Sequence, residues 1–181
     1  MALAMDPDNS HKLLTKISDF ICDWLCWQKE CFPSIDGVLV LDDIIGFVGE
    51  IEFREFVIPY FKKIFDCTGA KARFLHNDAD GLITAANLKE MGINMFNFSF
   101  NHSMGEIRSL AGPEVILVGN VPPRDVMASG SPEQVDEAVR KACSEITPHE
   151  RIIWSVGGGM APEVKNENID AFIKAVAEYS K

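Results

Sequence analysis

Short apolar runs alternate with longer amphipathic segments, and this pattern repeats five times along the 181 residues of the chain. The apolar runs are rich in Val, Ile and Phe and lack strict polar alternation, which is typical of parallel strands covered on both faces. Alternation with connections this short favours an α/β fold with right-handed crossovers. The predicted strands are Val38–Leu41, Ala72–His76, Ile93–Phe98, Val115–Val118 and Arg151–Val156.

The segments around these strands show the apolar spacing of helices. The first helix is predicted to begin at a cap residue, Asn9 or Ser10, and to reach about Glu30. Ser131 followed by Pro132 predicts a second capped start. Gly69, Gly92 and Gly112 are predicted to close helices in the left-handed conformation. Further helices are predicted over Glu52–Cys67, Thr84–Met91, His102–Leu110, Pro132–Glu145 and Asn166–Ser180.

Two architectures fit five strand–helix units. An open doubly wound sheet is complete with five strands, whereas a (β/α) barrel needs eight strands and about 250 residues. The pattern alone therefore favours the open sheet. No linker or low-complexity tract divides the chain, so residues 1–181 are predicted to form a single α/β domain.

Acidic residues outnumber basic ones, 27 against 17, which gives a formal net charge of −10. This excess argues against a nucleic-acid partner, because phosphate backbones are held by clustered Lys and Arg. The sequence contains no run of about 18 apolar residues, so no membrane span is predicted. The amino terminus lacks the pattern of a secretory signal, so the expected location is the cytoplasm.

Polar and glycine residues cluster near the ends of the predicted strands, where parallel α/β proteins place their binding and catalytic groups. Asp42 and Asp43 are interpreted either as turn and capping residues or as carboxylates that bind a cation or accept a proton. His76 with Asp78 suits Zn²⁺ or a proton relay, although a histidine at a strand end can be structural. The remaining candidates are Asn77, Asp80, Asn97, Ser99, Gly119, Asn120 and the run Gly157, Gly158 and Gly159.

The glycine run lets the backbone pass close to a ligand or adopt a positive φ. It is not the dinucleotide-binding fingerprint, because it follows the last strand and no helix starts directly after it. The candidate binding residues for substrate are therefore Asn97, Gly119, Asn120 and the three glycines, and the candidate catalytic residues are Asp42, Asp43, His76 and Asp78.

These segments, in this order, resemble the carboxyl-terminal part of the uroporphyrinogen decarboxylase superfamily, which includes cobalamin-dependent methyltransferases. The matching motifs are Asp42-Asp43-Ile44-Ile45-Gly46, Phe74-Leu75-His76-Asn77-Asp78, Val118-Gly119-Asn120-Val121-Pro122-Pro123, Ser131-Pro132-Glu133-Gln134-Val135 and Gly157-Gly158-Gly159-Met160-Ala161-Pro162. The resemblance implies a partial TIM barrel with about five of the eight strand–helix units. It also implies one of two outcomes for the open edges. Either a missing amino-terminal half, a homo-oligomer or another partner chain covers them, or the strands rearrange into an open sheet.

The sequence departs from the family at two positions. The turn at Gly158 reads Gly-His-Gly in the decarboxylases and Gly-Cys-Gly in the zinc-dependent methyltransferases. The segment at His76 and Asp78 reads His-x-Cys in those methyltransferases. The histidine is therefore retained and both thiolates are missing, which leaves a nitrogen and oxygen donor set for zinc.

The resemblance implies three functions. The first is the methyltransferase component of a corrinoid-dependent system, in which a partner protein presents the corrinoid and a small molecule accepts the methyl group. The second is uroporphyrinogen decarboxylation in porphyrin biosynthesis, which needs no cofactor. The third is a non-catalytic truncated barrel that acts as a binding module.

Overall fold

A computed structural model describes residues 2–79 and 81–181, so the candidate Asp80 lies outside the described residues. Five parallel strands form one sheet in the sequential order β1-β2-β3-β4-β5. A doubly wound sheet reverses its strand order at a switch point, so the doubly wound interpretation is wrong and the partial barrel is confirmed. The strands are β1 (Gly37–Leu41), β2 (Ala72–Asn77), β3 (Met95–Phe98), β4 (Ile116–Val121) and β5 (Ile152–Val156).

Helices connect consecutive strands and precede the first one. A short 3₁₀ turn spans Ile44–Phe47, and π-helical turns span Phe53–Val57 and Pro123–Ala128. The α-helices are α1 (Ala2–Met5), α2 (Pro7–Cys31), α3 (Glu50–Glu52), α4 (Ile58–Asp66), α5 (Leu82–Asn87), α6 (Met104–Ala111), α7 (Pro132–Ser144) and α8 (Asn166–Tyr179).

The first long helix starts earlier than its sequence predicts. Asp6 caps α2 by accepting a hydrogen bond from the backbone N–H of Asn9, and Pro7 occupies the first helical turn. The prediction of a cap at Asn9 or Ser10 is therefore wrong. An aspartate followed by proline provides both the cap acceptor and the fixed φ that a helix start needs.

The predicted start of α7 is confirmed. The Ser131 side chain accepts from the backbone N–H of Gln134, and the Gln134 side chain accepts in return from the backbone N–H of Ser131. The predicted closing glycines are also confirmed, with φ of +63° at Gly69, +76° at Gly92 and +80° at Gly112.

The main core lies between the sheet and its helices. Four phenylalanines and several aliphatic side chains there are completely or almost completely buried, which fixes the sheet against α4, α5 and α6. A second cluster packs α7 and α8 beside β4 and β5. The largest buried side chains are Phe53, Phe65, Phe96, Phe98, Leu75, Leu88, Met91 and Met104.

Polar contacts and partly buried side chains attach α2 to the rest of the fold. Ser18 is its one buried residue among those described, and Leu25 packs against the main core. The Tyr60 hydroxyl lies 2.8 Å from His11 Nδ1, and Lys29 Nζ donates to the carbonyl of Thr68 at 2.6 Å. The opposite face of the helix is apolar and exposed, with Phe20 71% and Trp27 52% accessible.

The sheet is open at β1 and β5. The side chains of Leu39 and Leu41 on β1 are 55% and 68% exposed, and Ile153 on β5 is 46% exposed. Within the described residues, neither edge strand pairs with a further strand on its outer side. Unpaired backbone groups and apolar side chains therefore lie together along both edges.

Arg108 ties the amino-terminal ends of two strands together. Its guanidinium donates to the carbonyls of Gly112 and Val115 before β4, at 2.9 and 2.6 Å, and to that of Arg151 before β5, at 3.1 Å. Burial lowers the pKa of Arg108, and the nearby charge of Arg151 lowers it further. None of the described helices is long and apolar enough to cross a membrane.

Candidate functional site

The candidate site lies where β1, β2 and β3 end. Leu41, His76, Asn97 and Val118 occupy one row of register across four neighbouring strands. Side chains at paired positions of parallel strands lie on the same face of a sheet, which makes His76 and Asn97 direct neighbours. The fold thus brings together two residues that are 21 positions apart in the sequence.

Asn97 fixes the orientation and the tautomer of His76. Its Nδ2 donates to the carbonyls of Val118 at 2.6 Å and Val156 at 3.1 Å, so its Oδ1 must face His76. His76 Nδ1 lies 2.6 Å from that oxygen and is therefore the protonated ring nitrogen in the neutral imidazole. The Nε2 lone pair remains available.

Two carboxylates face this nitrogen. The Asp78 Oδ2 lies 3.9 Å from His76 Nε2, and Asp43 Oδ1 accepts the backbone N–H of Asp78 at 3.0 Å. One donor atom from each of Asp43, His76 and Asp78 falls within 4.8 Å of the other two. Across residues 2–79 and 81–181, this is the one group of three or more His, Cys, Asp or Glu side chains with that spacing.

The environment raises the pKa of Asp78. Burial contributes most, the charge of Asp43 adds to it, and the proximity of His76 opposes both. The two carboxylates therefore repel each other when both are ionised, and a bound cation or proton would relieve that repulsion. In the fold, the partner of the Asp43 carboxylate is therefore Asp78 and not its sequence neighbour Asp42.

These three residues fit a divalent metal of the zinc type. Imidazole nitrogen and carboxylate oxygen are both zinc ligands, and three protein ligands with an open position are typical of catalytic sites. Metal-binding histidines usually donate their second ring N–H to a carbonyl or carboxylate, as His76 does to Asn97. This ligand set contains no cysteine thiolate at position 78 or 158, the two positions where the resemblance to zinc-dependent methyltransferases implies one.

The glycine run follows β5 and borders the same site. A Cβ atom at Gly157 would lie 2.6 Å from the backbone nitrogen of Phe100, so this glycine permits close packing of two loops. Gly158 has a φ of +113°, and a Cβ there would lie 2.6 Å from Asp78 Oδ2. A Cβ at Gly159 would meet nothing within 4 Å.

The structure places the other candidates differently. Asp42 Oδ1 accepts the backbone N–H groups of Ile44 and Ile45, at 2.8 and 3.3 Å, which is the capping arrangement. Gly119 and Asn120 lie inside β4 and not after it, because their pairing with β5 extends that strand.

Asn120 does not join the group around His76. Its Nδ2 donates to the carbonyl of His102, and it lines a separate cleft beside α6 and α7. The roles of Asn97, Gly119 and Asn120 in substrate binding stay predictions.

A cleft of about 470 Å³ extends from Asp78 along the glycine run. Sequence reasoning did not select Phe100, Arg124 or Met160, which line it. Arg124 follows the pair Pro122-Pro123 directly after β4. Its position just after a strand end could have identified it as a candidate from the sequence. The cleft gives a small molecule access to the Asp78 carboxylate.

Comparison with known proteins decides the family. The sequence model described as "Uroporphyrinogen decarboxylase (URO-D)" matches residues 1–179. The chain belongs to the uroporphyrinogen decarboxylase family. Relatives named uroporphyrinogen decarboxylase are 28% identical in Chloroherpeton thalassium, over 96% of this chain and 50% of the relative, and 27% identical in Danio rerio, over 97% and 48%. The chain spans about half the length of the curated relatives it matches.

Solved structures support the family fold. A methyltransferase from Methanosarcina mazei superposes with a TM-score of 0.76 at 17% sequence identity, over 91% of this chain and 48% of the other. Identity at this level shows a common fold only. The chain therefore has a partial-barrel fold of the uroporphyrinogen decarboxylase type with five parallel strands, and its described residues include one cluster of metal-binding character.

Proposed function

We propose that this chain carries the metal-binding part of a methyltransferase active site in the uroporphyrinogen decarboxylase family. The observation behind the proposal is the fixed tautomer of His76, whose Nε2 faces the carboxylate of Asp78 at 3.9 Å. Asp43, His76 and Asp78 would hold zinc, and the remaining coordination position would receive the methyl acceptor.

A zinc ion bound there would act as a Lewis acid that lowers the pKa of the acceptor group. The chain itself contributes positioning, because Asn97 keeps the imidazole in one orientation. Asp43 and Asp78 contribute carboxylates. Burial and their mutual repulsion raise the pKa of Asp78 in the metal-free chain, and a bound cation would relieve this repulsion. The acceptor would lose its proton to water before it attacks the methyl group.

The proposed methyl donor is a corrinoid presented by a partner protein. The methyl carbon forms its new bond with the electron pair of the acceptor, and cobalt keeps the pair of the broken cobalt–carbon bond. The solved structure with a similar fold is named a methyltransferase, which agrees with the reaction class of this proposal. The cleft beside Asp78 is the place where donor and acceptor would meet.

A second candidate is the decarboxylation of uroporphyrinogen, which the names of the curated relatives favour. The local charge argues against it. Asp43 and Asp78 would both repel the carboxylates of such a substrate, and the chain carries a net charge of −10. Two discriminating assays follow from this contrast.

The first assay measures metal binding by the purified chain. After removal of metal with a chelator, isothermal titration with Zn²⁺ should show one site, and His76→Ala should weaken the affinity by at least about tenfold. His11→Ala is the matched control, because this histidine lies on α2 beside Tyr60 and should leave zinc affinity unchanged. Equal affinity for zinc in the His76→Ala variant and the unmodified chain would refute the metal role.

The second assay compares two reactions. Loss of the cobalt–carbon absorption of methylcobalamin in the presence of 2-mercaptoethanol reports methyl transfer, and formation of coproporphyrinogen from uroporphyrinogen reports decarboxylation. Zinc-dependent methyl transfer without decarboxylation supports the proposal. Decarboxylation would favour the second candidate, and a stable chain without metal or turnover would favour the binding module.

We also propose that further strands, from an amino-terminal half or from a second copy of the chain, pair with β1 and β5. The open edges and the exposed Leu39, Leu41 and Ile153 support this proposal. An eight-stranded barrel would need three more parallel strands, which would remove both edges.

A further inference from the structure

We infer that Gly158 is a positioning residue, which keeps free the space that the Asp78 carboxylate needs in order to face His76. The inference deepens the proposed function, because it names the residue that allows an aspartate to serve as an oxygen ligand for a divalent cation. A Cβ atom at position 158 would lie 2.6 Å from Asp78 Oδ2.

The conflict involves the end of the Asp78 side chain and little else. The same Cβ would lie 3.5 Å from Asp78 Cγ and 3.6 Å from Asp78 Cβ, which are ordinary van der Waals distances. A side chain at position 158 can therefore be accommodated if the carboxylate turns away. The fold would survive that change, but the oxygen that faces His76 Nε2 would leave its place.

The carboxylate has little freedom to turn without leaving the group. Asp43 holds the backbone N–H of Asp78 at 3.0 Å, so the main chain at this position is fixed relative to β1. The Asp78 side chain is 40% exposed, so a carboxylate pushed away by a Cβ atom at position 158 would turn into solvent.

The other glycines supply matched controls. Gly159 is the next residue in the same loop, and a Cβ there meets nothing within 4 Å. Gly112 has a φ of +80°, and a Cβ there also meets nothing within 4 Å. Gly159→Ala therefore controls for the added methyl group, and Gly112→Ala controls for the backbone strain of alanine at positive φ.

The first experiment uses Co²⁺ and Zn²⁺ as probes. Gly158→Ala should reduce the affinity for each metal by about tenfold or more and should change the visible absorption of bound Co²⁺. Gly159→Ala and Gly112→Ala should stay within about twofold of the unmodified chain. Asp78→Ala should lose as much affinity as Gly158→Ala, and the double variant should lose no more than either single variant. Unchanged affinity in Gly158→Ala, or additive losses, would overturn the inference.

The second experiment needs no metal. It separates the hypothesis of metal binding from the hypothesis that Gly158 positions Asp78. In urea unfolding, Gly158→Ala should lower the midpoint more than Gly112→Ala does, and this excess should disappear when Asp78 is already alanine. If the unmodified chain binds no metal but the excess behaves as stated, the metal role fails and the positioning role of Gly158 stands. An excess that persists without the Asp78 carboxylate would refute the positioning role.

Discussion

The amide of Asn97 connects the site to three separate segments. It contacts His76 on β2, the carbonyl of Val118 on β4 and the carbonyl of Val156 at the end of β5, and its side chain is almost completely buried. Each of these groups would be left without its partner if the amide were removed. Asn97 is therefore both a ligand-positioning residue and a structural one.

Replacing Asn97 should lower both the stability of the fold and its affinity for zinc. Asn97→Ala removes two buried hydrogen bonds to backbone carbonyls, and we expect the free energy of unfolding to fall by about 1–3 kcal/mol. Zinc affinity should fall as well, because the His76 ring loses the contact that orients it. Urea unfolding and calorimetric titration measure the two effects. The control is Asn101→Ala on the exposed loop after β3, which should change stability by less than about 0.5 kcal/mol.

At this scale the sequence predicts where the polar residues lie but not what each of them contacts. His76 and Asp78 follow from their place at the end of a predicted strand. The pairing of Asp43 with Asp78 and the contacts of Asn97 depend on the strand register, which spacing alone does not reveal. Gly158 appeared in the sequence as a lost ligand, whereas the structure shows the Asp78 carboxylate beside it.

Helix α7 shows how completely a local signal can define the start of an element. Ser131 and Gln134 form its capping box through hydrogen bonds within one turn, and Pro132 occupies the first helical turn. No distant segment is needed for this arrangement. The sequence prediction of this helix start therefore succeeds.

The cap also gives a measurable contribution to stability. Ser131→Ala removes the acceptor for the backbone N–H of Gln134, and we expect the free energy of unfolding to decrease by about 1 kcal/mol. Thermal or urea unfolding measures this change. Ser109→Ala, at an exposed position in α6, should have an effect below about 0.5 kcal/mol. An equal loss in both variants would contradict the capping contribution.

The end of strand β4, unlike the start of α7, is not determined by its local sequence. Its apolar run predicts Val115–Val118, but the strand continues to Val121 because Gly119, Asn120 and Val121 pair with β5. Neither glycine nor asparagine favours a strand by its own propensity. The neighbouring strand decides the length, and that information is absent from the local sequence.

For the molecule as a whole, the sheet edges are the feature that most affects behaviour in solution. Leu39 and Leu41 on β1 are more than half exposed beside unpaired backbone groups. Such an edge is a template for association with another chain. The sequential strand order was predicted through the resemblance to the family, since hydrophobic periodicity alone favoured the doubly wound alternative.

We expect the isolated chain to associate in a concentration-dependent manner. Leu41→Lys should reduce this association, because a charged side chain on an edge strand disfavours pairing with another strand. Sedimentation velocity over a range of protein concentrations measures the effect. Leu110→Lys changes a leucine that is 40% exposed on α6 and should leave association unchanged. A strictly monomeric unmodified chain would contradict this prediction.

The hydrogen bonds of Arg108 affect which residues of this fold can be substituted without loss of structure. One guanidinium donates to four carbonyl groups that precede β4 and β5 or lie near their starts, at the end of the sheet opposite to His76 and Asp78. These are the carbonyls of Gly112, Val115, Glu150 and Arg151. A lysine could not satisfy them, because it lacks the planar set of donors. Because Arg108 fixes the amino-terminal ends of β4 and β5, we expect that ligand residues at the carboxyl-terminal ends can be substituted while the strands keep their alignment.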